Sequence, residues 1–206
     1  MGRRMQPIRK REQLQDIEET LAKLTDPRGR MTFLLWEVGI RMGLRIGDML
    51  KLRVGDLRGQ TRYTYLPQKQ AHKARAEAIT ITLEPGLRKI IRARCAGMAD
   101  EDYIFASREK TPGGNQRPIS RMTAYRCLRD IGKLCRLDEP VGCHTTRKTF
   151  GYHYYQKDRD VAWLQKWFYH SSPEITLIYI GIAEDEFRRK TDRTPFSSGE
   201  DLDRIL

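Results

Sequence analysis

Two short segments, residues 61–66 and 78–83, alternate polar and apolar residues and carry β-branched and aromatic side chains. This pattern is typical of β-strands, and the basic stretch PQKQAHKARAEA between them predicts a long hairpin connection. The other periodic segments repeat apolar residues at helical spacing. The predicted fold is therefore α+β and mainly α, with one small antiparallel sheet and with helices at residues 13–24, 31–41, 85–96, 120–134, 145–156 and 161–168, besides short helices that start near residues 45 and 173.

Three local patterns predict where these elements begin and end. The Asp-Pro-Arg-Gly stretch at residues 26–29 is typical of a turn that ends the first helix. Residues 103–105, Tyr-Ile-Phe, predict a short edge strand. Ser171 and Glu174 have the spacing of a capping box, which predicts the start of the last predicted helix.

The length and hydropathy of the chain predict a globular protein. A chain of 206 residues is long enough to form one domain with a substantial core. Its apolar runs are too short to cross a bilayer, and the basic residues 1–11 lack the apolar region of a secretory signal. We therefore expect a cytoplasmic protein with no membrane partner.

The charge is strongly positive. Lys and Arg number 39 against 27 Asp and Glu, for a net charge of +12. Such an excess favours a polyanionic partner, most often nucleic acid, although a merely soluble basic protein has the same balance. Residues 1–11 carry five cations before the first acid, Glu12. This segment is expected to be a flexible arm that follows phosphates, or simply a solvated end.

The cysteines do not predict a metal site. None of the four forms a C-x-x-C pair, and their spacing matches no zinc pattern. We expect reduced, mostly buried thiols at Cys95, Cys127, Cys135 and Cys143. The sequence also offers no acidic cluster suited to Mg²⁺. No metal and no cofactor is therefore predicted.

His144 and Arg147 are three residues apart at the start of a predicted helix. At this spacing their side chains lie on one face and can contact the same small anion. The amino end of a helix is itself favourable for phosphate, and the planar fork of Arg147 matches two phosphate oxygens. A capped, solvated surface pair would have the same spacing.

Three further polar residues occur at junctions or on apolar helices. Arg45 follows a Gly-Leu pair at a predicted helix junction, where Asp48 could hold it in a purely structural ion pair. His170 precedes the capping box, and Tyr179 lies on the helix that follows. Taken alone, a tyrosine in an apolar helix is usually a core residue.

Taken together, these residues resemble the catalytic domain of the tyrosine recombinase (phage integrase) family. The matching stretches are GLRIGDMLKLRVGDL, the hairpin with Gln68 and Lys69, HTTRKTFG and HSSPEITLIY, which together cover residues 12–185. Tyr169 stands where glycine is common, and Thr146 where leucine is usual. The resemblance identifies the family's functional residues as Arg45, the hairpin Lys69, His144, Arg147, His170 and the nucleophile Tyr179, with Lys73 as an alternative to Lys69.

The resemblance implies attack of Tyr179 on a DNA phosphodiester, which forms a 3′-phosphotyrosine and frees a 5′-hydroxyl. Arg45 and Arg147 would bind the non-bridging oxygens, and His170 would donate a hydrogen bond to one of them. His144 would assist deprotonation of the phenol, and Lys69 would protonate the leaving oxygen. Because the phosphotyrosine conserves the bond energy, strands can be exchanged without ATP or metal. The implied partner is double-stranded DNA, on which a tetramer of protomers is expected.

The resemblance also divides the chain. Residues 12–190 would form the catalytic domain, preceded by a basic arm at residues 1–11 and followed by a tail at residues 191–206. The N-terminal core-binding domain of most such recombinases has no counterpart, which fits either a short natural member or an isolated domain. The apolar tip of the tail would pack on a neighbouring subunit or be a frayed end.

Two other functions remain open at this point. A type IB topoisomerase uses the same arginines, histidine and tyrosine, and would relax supercoiled DNA without strand exchange. A catalytically silent DNA-binding regulator could keep the fold without cleaving DNA. The spacing of His170 and Tyr179 in HSSPEITLIY favours a recombinase that acts in DNA integration, excision or resolution.

Overall fold

Helices dominate the computed structural model, which describes residues 5–66 and 77–192. The described part contains one two-stranded sheet, as predicted. In chain order the elements are α1 (Arg11–Ala22), α2 (Pro27–Met42), α3 (Ile46–Met49), α4 (Val54–Leu57), β1 (Arg62–Tyr65), β2 (Ile79–Thr82), α5 (Pro85–Arg94), α6 (Arg121–Leu134), α7 (Cys143–Asp158), α8 (Val161–Phe168), α9 (Pro173–Ile180) and α10 (Ile182–Asp192).

Helix α2 lies at the centre of the core. Its residues Leu35, Trp36, Val38 and Met42 are completely buried, and α2 contacts α1, α5, α6 and α7. The helix starts four residues earlier than predicted because the Asp26 carboxylate accepts hydrogen bonds from the next backbone amides. Proline is favoured in the first helical turn, so the predicted turn at residues 26–29 is the beginning of α2 instead.

Helices α2 and α7 approach each other closely at Gly39. A Cβ atom on Gly39 would lie only 2.7 Å from Cβ of Thr146, so the glycine allows this contact. Thr146 is itself buried, at 2% exposure. The tyrosine recombinase family, which the chain resembles, usually has the larger leucine at this position. The close packing places the first turn of α7 beside the end of α2, where the site described below is formed.

The two strands pair in the predicted antiparallel manner. Arg62 lies opposite Thr82 and Tyr65 opposite Ile79, and the hydroxyl oxygens of Thr64 and Thr80 are 2.8 Å apart on the exposed face. The connection at residues 67–76 lies outside the described residues. The predicted general acid Lys69 and its alternative Lys73 therefore lie outside the described residues.

The predicted edge strand at residues 103–105 is wrong. Tyr103 forms an isolated bridge with Arg53, and the amide of Ile104 donates to the carbonyl of Leu52. The pairing ends there because Leu52 and Arg53 lead directly into α4, which takes the chain out of extended geometry. Ile104 and Phe105 are buried, which accounts for the apolar pattern.

Part of the basic N-terminal segment lies against the domain. The amide of Ile8 donates to Thr149 on α7, and the guanidinium of Arg9 binds Asp185 on α10. Residues 5–10 therefore do not project as a flexible arm. Residues 1–4 and the predicted tail from residue 193 onward lie outside the described residues.

The described residues contain no cluster of three or more His, Cys, Asp or Glu side chains that could hold a metal ion. All four cysteines are free thiols, and Cys95 and Cys127 are buried. Among the helices at residues 5–66 and 77–192, none has both the length and the apolar character to span a membrane.

Candidate active site

Five predicted site residues line one cleft of about 400 Å³. They come from separate elements: the residue before α3, the first turns of α7, the loop after α8, and α9. Lys69 is the one predicted member that lies outside the described residues. The residues brought together are Arg45, His144, Arg147, His170 and Tyr179.

Arg45 enters the cleft from the sharp junction between α2 and α3. Gly43 ends α2 with a φ of 59°, a left-handed conformation that glycine adopts without steric cost. Arg45 follows in extended geometry, and its Nη2 donates to the carbonyl of Phe168 at 2.6 Å. Its Nη1 is buried and, within the described residues, has no hydrogen-bond partner. This leaves one donor of Arg45 available to an anion.

Arg147 is held beside Arg45 and is almost completely buried, at 3% exposure. Its Nη1 donates to the carbonyl of Gly43, and its Nη2 lies 3.4 Å from the same Phe168 carbonyl that Arg45 binds. Its guanidinium carbon lies 4.3 Å from the centre of the Phe168 ring. Burial, together with the nearby charge of Arg45, lowers the pKa of Arg147 to about 10.

Two guanidinium groups therefore meet at one carbonyl oxygen. A single neutral carbonyl does not compensate two positive charges, and like charges brought close together destabilise each other. A phosphate in the cleft would relieve this repulsion and accept hydrogen bonds from both groups. The arrangement is that of a preformed anion site.

His170 is positioned by the turn that ends α8. Tyr169 adopts a φ of 54°, and the amide of His170 donates to the carbonyl of Gln165 at 3.0 Å. Its Nδ1 lies 3.0 Å from Oγ1 of Thr176. Burial, together with the charges of Arg147 and Arg45, lowers the pKa of His170 to about 4. The imidazole is therefore neutral at neutral pH.

Tyr179 lies on α9 with its hydroxyl at the cleft. Its Oη is 3.2 Å from Nδ1 of His144, and its ring centre is 5.0 Å from that of His170 and 5.4 Å from that of Phe168. Burial raises the pKa of the phenol, although the charges of Arg147 and Arg45 act in the opposite direction. The nucleophile candidate is thus a protonated phenol in contact with a potential base.

Helix α9 begins one residue later than the capping box predicts. Ser172, not Ser171, is the residue before the helix, and its hydroxyl accepts a hydrogen bond from the amide of Ile175. Pro173 then occupies the first helical position, where its fixed φ suits the helix and its missing N–H leaves no bond unmade. The prediction of a serine cap at this helix start was correct, but the cap lies one residue later than predicted.

Sequence reasoning missed residues that complete the walls of the cleft. Arg121 lines it from the start of α6, and a Cβ atom on Gly47 would lie 2.6 Å from Nη2 of Arg121. Cys143 lines it beside His144. The helix cap at Ser120 located the start of α6, but nothing in the local sequence distinguished Arg121 from the other exposed arginines of that helix.

Tyr169, which stands where the resembling family commonly has glycine, has defined contacts. Its hydroxyl donates to the carbonyl of Glu77 at 2.6 Å, and the Arg45 guanidinium carbon lies 6.0 Å from its ring centre. The side chain thus joins the loop that carries His170 to the start of the second strand segment.

Known proteins share the sequence pattern and the fold of this chain. A sequence model described as the phage integrase family matches residues 10–186. The chain belongs to the phage integrase family. It is 37% identical over 184 residues to the probable integrase/recombinase YoeC of Bacillus subtilis, covering 89% of this chain and 93% of that protein. Over 144 residues it is 28% identical to a tyrosine recombinase of Pseudothermotoga lettingae, covering 70% of this chain and 47% of the relative.

Solved structures of integrases and recombinases share the fold. The XerH recombinase in a post-cleavage complex with its difH substrate aligns with a TM-score of 0.63 at 20% identity, over 92% of this chain and 54% of XerH. The catalytic domain of bacteriophage HP1 integrase aligns with a TM-score of 0.56 at 14% identity, over 94% and 98% of the two chains. The phage integrase chain thus spans nearly all of some relatives and about half of others. The predicted family and fold are confirmed.

Proposed function

We propose that this chain is a site-specific DNA recombinase that cleaves and rejoins DNA through a 3′-phosphotyrosine at Tyr179. The observation that carries the proposal is the meeting of the Tyr179 hydroxyl with two guanidinium groups in one cleft. Membership of the phage integrase family supports the same reaction class. The contacts of the described site residues support the roles that the family resemblance implies for them.

Arg45 and Arg147 bind the non-bridging oxygens of the scissile phosphate. Phosphate repels an incoming oxygen nucleophile, so stabilisation of its charge is the largest contribution that a site can make. Arg147 cannot move away, because backbone carbonyls and the Phe168 ring hold it in place. Arg45 brings the buried Nη1 that lacks a partner within the described residues. This preorganisation means that little reorganisation is needed when the phosphate charge develops.

His170 donates a hydrogen bond to the phosphate as a neutral imidazole. Thr176 has one hydroxyl proton, and its oxygen lies 3.0 Å from Nδ1 of His170 and 3.2 Å from the carbonyl of Ser172. When this proton points to Nδ1, the imidazole proton must be on Nε2, where it can be donated to substrate. Phosphate binding favours this tautomer, since it offers an acceptor to Nε2–H.

His144 accepts the proton of Tyr179 during attack. The raised pKa of the phenol leaves a very small ionised fraction at neutral pH, so a base at hydrogen-bond distance accelerates the reaction. Nδ1 of His144 is at 3.2 Å and exposed to the cleft. The developing phenolate is then stabilised by Arg147 and Arg45, whose charges favour the ionised form of Tyr179.

The leaving 5′-oxygen receives its proton from the hairpin lysine, Lys69, with Lys73 as the alternative. Both belong to residues 67–76, and the role rests on the family resemblance. Attack of a second 5′-hydroxyl on the phosphotyrosine reverses the first step and joins a new strand. No net hydrolysis of a phosphodiester takes place, so the cycle uses no ATP.

The partner is double-stranded DNA, and a tetramer of protomers on paired sites is expected to carry out the exchange. The net charge of +12 favours this substrate. Relatives of the same fold were solved with DNA, including XerH with difH and the Tn1549 transposon integrase with circular-intermediate DNA. We expect the protein in the cytoplasm, associated with the chromosome or a mobile element.

The test is covalent trapping on a nicked suicide substrate built from the ends of the host element. Wild type should form an adduct that survives SDS, with DNA attached to the peptide that contains Tyr179. Tyr179→Phe should bind the same DNA and form no adduct. Tyr155→Phe, a tyrosine of α7 that does not line the cleft, is the matched control and should react like wild type.

Other results of this experiment, and of a plasmid relaxation assay, identify the competing functions. An adduct that persists in Tyr179→Phe contradicts the nucleophile assignment. DNA binding by wild type without any adduct indicates a silent regulator of the same fold. Relaxation of supercoiled plasmid without exchange between two sites indicates a topoisomerase.

A further inference from the structure

Residues 7–9, here termed the N-terminal strap, cross the junction between α9 and α10 directly behind the nucleophile candidate. Gly181 forms this junction, two residues after Tyr179, with a φ of 83°. A Cβ atom on Gly181 would lie 2.8 Å from Nη2 of Arg9 and 3.4 Å from Cγ of Pro7. The strap therefore packs on the bare backbone of Gly181, a contact that a side chain there would block.

One end of the strap is fixed to α7, the helix that carries His144 and Arg147. The amide of Ile8 donates to Oγ1 of Thr149 at 3.0 Å, and Nε2 of His153 donates to the carbonyl of Ile8 at 2.8 Å. The side chain of Ile8 is 5% exposed and belongs to the core. Both backbone groups of this residue are thus bound to the same helix.

The other end of the strap is fixed to α10 through Arg9. Its Nε lies 3.0 and 3.1 Å from the two carboxylate oxygens of Asp185, whose side chain is only 11% exposed. Nη2 of Arg9 lies 3.9 Å from Glu184, and the guanidinium carbon lies 5.8 Å from the ring centre of Tyr152. This ion pair is largely shielded from solvent, which makes it stronger than a surface pair.

Helix α9 packs against α7 and α8, and the strap contacts the residue that follows its carboxyl end. It contains eight residues, and its outer face is exposed at Ile175 and Ile178, by 46% and 61%. A helix of two turns contributes little stability by itself. Its carboxyl end, where Tyr179 lies, is held by the buried Ile180 and, through Gly181 and α10, by the strap.

We propose that the N-terminal strap positions the Tyr179 hydroxyl for attack, with Arg9 and Asp185 as positioning residues. This inference rests on the proposed function of Tyr179 and extends it to a contact between sequence positions 176 residues apart. Loss of the ion pair frees the α9–α10 junction and lets the phenol leave its position beside His144 and the arginines. A misplacement of the nucleophile by about 1 Å costs up to roughly 100-fold in rate.

The experiment compares Arg9→Gln, Asp185→Asn and the double variant in the full chain. Each is assayed for DNA binding, for the single-turnover rate of Tyr179 adduct formation at saturating protein, and for hydrogen exchange of residues 177–185 by mass spectrometry. Arg28→Gln is the control because it breaks another ion pair, Arg28 with Asp130 at 2.5 Å, far along the chain from the strap. All rates are measured at a temperature where every variant is folded.

We expect both single variants to form the adduct roughly 10- to 100-fold more slowly at unchanged DNA affinity, with faster exchange at residues 177–185. The double variant should be no slower than the slower single variant, since both remove the same ion pair. Arg28→Gln should keep the wild-type rate and the wild-type exchange of residues 177–185. Arg9→Gln lowers the net charge and Asp185→Asn raises it. If electrostatic attraction to DNA caused the change in rate, the two variants would therefore change the rate in opposite directions.

Three results would overturn the inference. Wild-type rates in both strap variants would show that the ion pair does not position Tyr179. A slower rate in Arg9→Gln alone, together with weaker DNA binding, would show that Arg9 contacts a phosphate instead. Equal slowing by Arg28→Gln would show a general stability effect. Failure of the proposed function is a separate result, in which wild type itself forms no Tyr179 adduct while the exchange comparison still tests the strap.

Discussion

Burial and the two arginines together decide the charge states of His170 and Tyr179 in the cleft. The same pair of guanidinium groups lowers the pKa of His170 and opposes the burial that raises the pKa of Tyr179. A neutral donor and a protonated nucleophile therefore face a doubly positive site. In this arrangement the proposed base, His144, would control how much of the proposed nucleophile, Tyr179, is available.

We predict that His144→Ala changes the pH dependence of cleavage as well as its rate. Without the base, attack depends on the phenolate fraction of Tyr179, which rises about tenfold per pH unit below the pKa of the phenol. Because burial raises that pKa, the increase should continue from pH 7 to pH 9. At pH 7 the rate should be about 100-fold or more below wild type.

Single-turnover adduct formation across this pH range measures both effects. Wild type should show a shallower dependence, since His144 removes the proton within the complex. Parallel profiles for wild type and His144→Ala would contradict the assignment of His144 as the base.

At the scale of elements, the end of α2 connects the fold to the site. The carbonyl of Gly43 accepts a hydrogen bond from Arg147, and Gly43 itself has a φ of 59°. A Cβ atom there would lie 2.3 Å from a ring carbon of Phe150. Glycine is thus required both for the backbone conformation and for the approach of α7.

We predict that Gly43→Ala lowers both stability and cleavage. Left-handed geometry alone costs a non-glycine residue about 1–3 kcal/mol, and displacement of Phe150 adds to this loss. Cleavage should fall because a strained residue 43 displaces the backbone carbonyl that Arg147 binds. Urea unfolding and the suicide-substrate rate measure the two effects.

Gly59→Ala is the matched control for this prediction. Gly59 has a φ of 72°, and a Cβ atom there would meet nothing within 4 Å. Gly59→Ala should lose only the stability that a left-handed backbone costs an alanine, and it should keep the wild-type cleavage rate. Equal effects of the two substitutions on stability and rate would refute the role given to the Gly43 contacts.

At the scale of the whole molecule, one partly buried charge network joins three helical regions. Arg41 on α2 binds Glu37 on the same helix at 2.8 Å, Glu18 on α1 at 3.2 Å and Glu84 at the start of α5. Glu37 is only 1% exposed, and burial raises the pKa of its carboxyl group while Arg41 lowers it. The network therefore ties the helices around α2 at the cost of a buried carboxylate.

We predict that Arg41→Met destabilises the fold by about 3–5 kcal/mol, because it leaves Glu37 buried without its cation. The loss should be smaller in a Glu37→Gln background. It should also shrink as the pH falls from 7 to 5, since a buried carboxyl with a raised pKa takes up a proton in the folded state first. Urea unfolding at both pH values measures this.

Arg28→Met, which breaks the more exposed pair with Asp130, should lose only about 0–1 kcal/mol. An equal loss from Arg41→Met with and without Glu37 would mean that the buried pair is not the source of the effect.

Features that depend on neighbouring residues could be predicted from the sequence, whereas contacts between distant residues could not. Helical periodicity, strand alternation and the cap at Ser120 are local, and each predicted its element. The errors were local too: Ser172 caps α9 in place of Ser171, Pro27 begins α2, and residues 103–105 form a bridge without a strand. At the starts of α2 and α9 the neighbouring residues offered more than one possible boundary, and the caps at Asp26 and Ser172 fixed it. At residues 103–105 the pairing was limited by the start of α4.

The sequence by itself predicted the mainly helical fold from its periodicity, and its resemblance to the phage integrase family identified the family and five cleft residues. Only the tertiary structure decided that Arg45 and Arg147 meet at the carbonyl of Phe168, that Arg121 lines the cleft and that Arg9 lies behind the nucleophile helix. These contacts join residues that are far apart in sequence. A pattern within one element carries no information about which surface of another element it will contact, and that choice is made when the core around α2 packs.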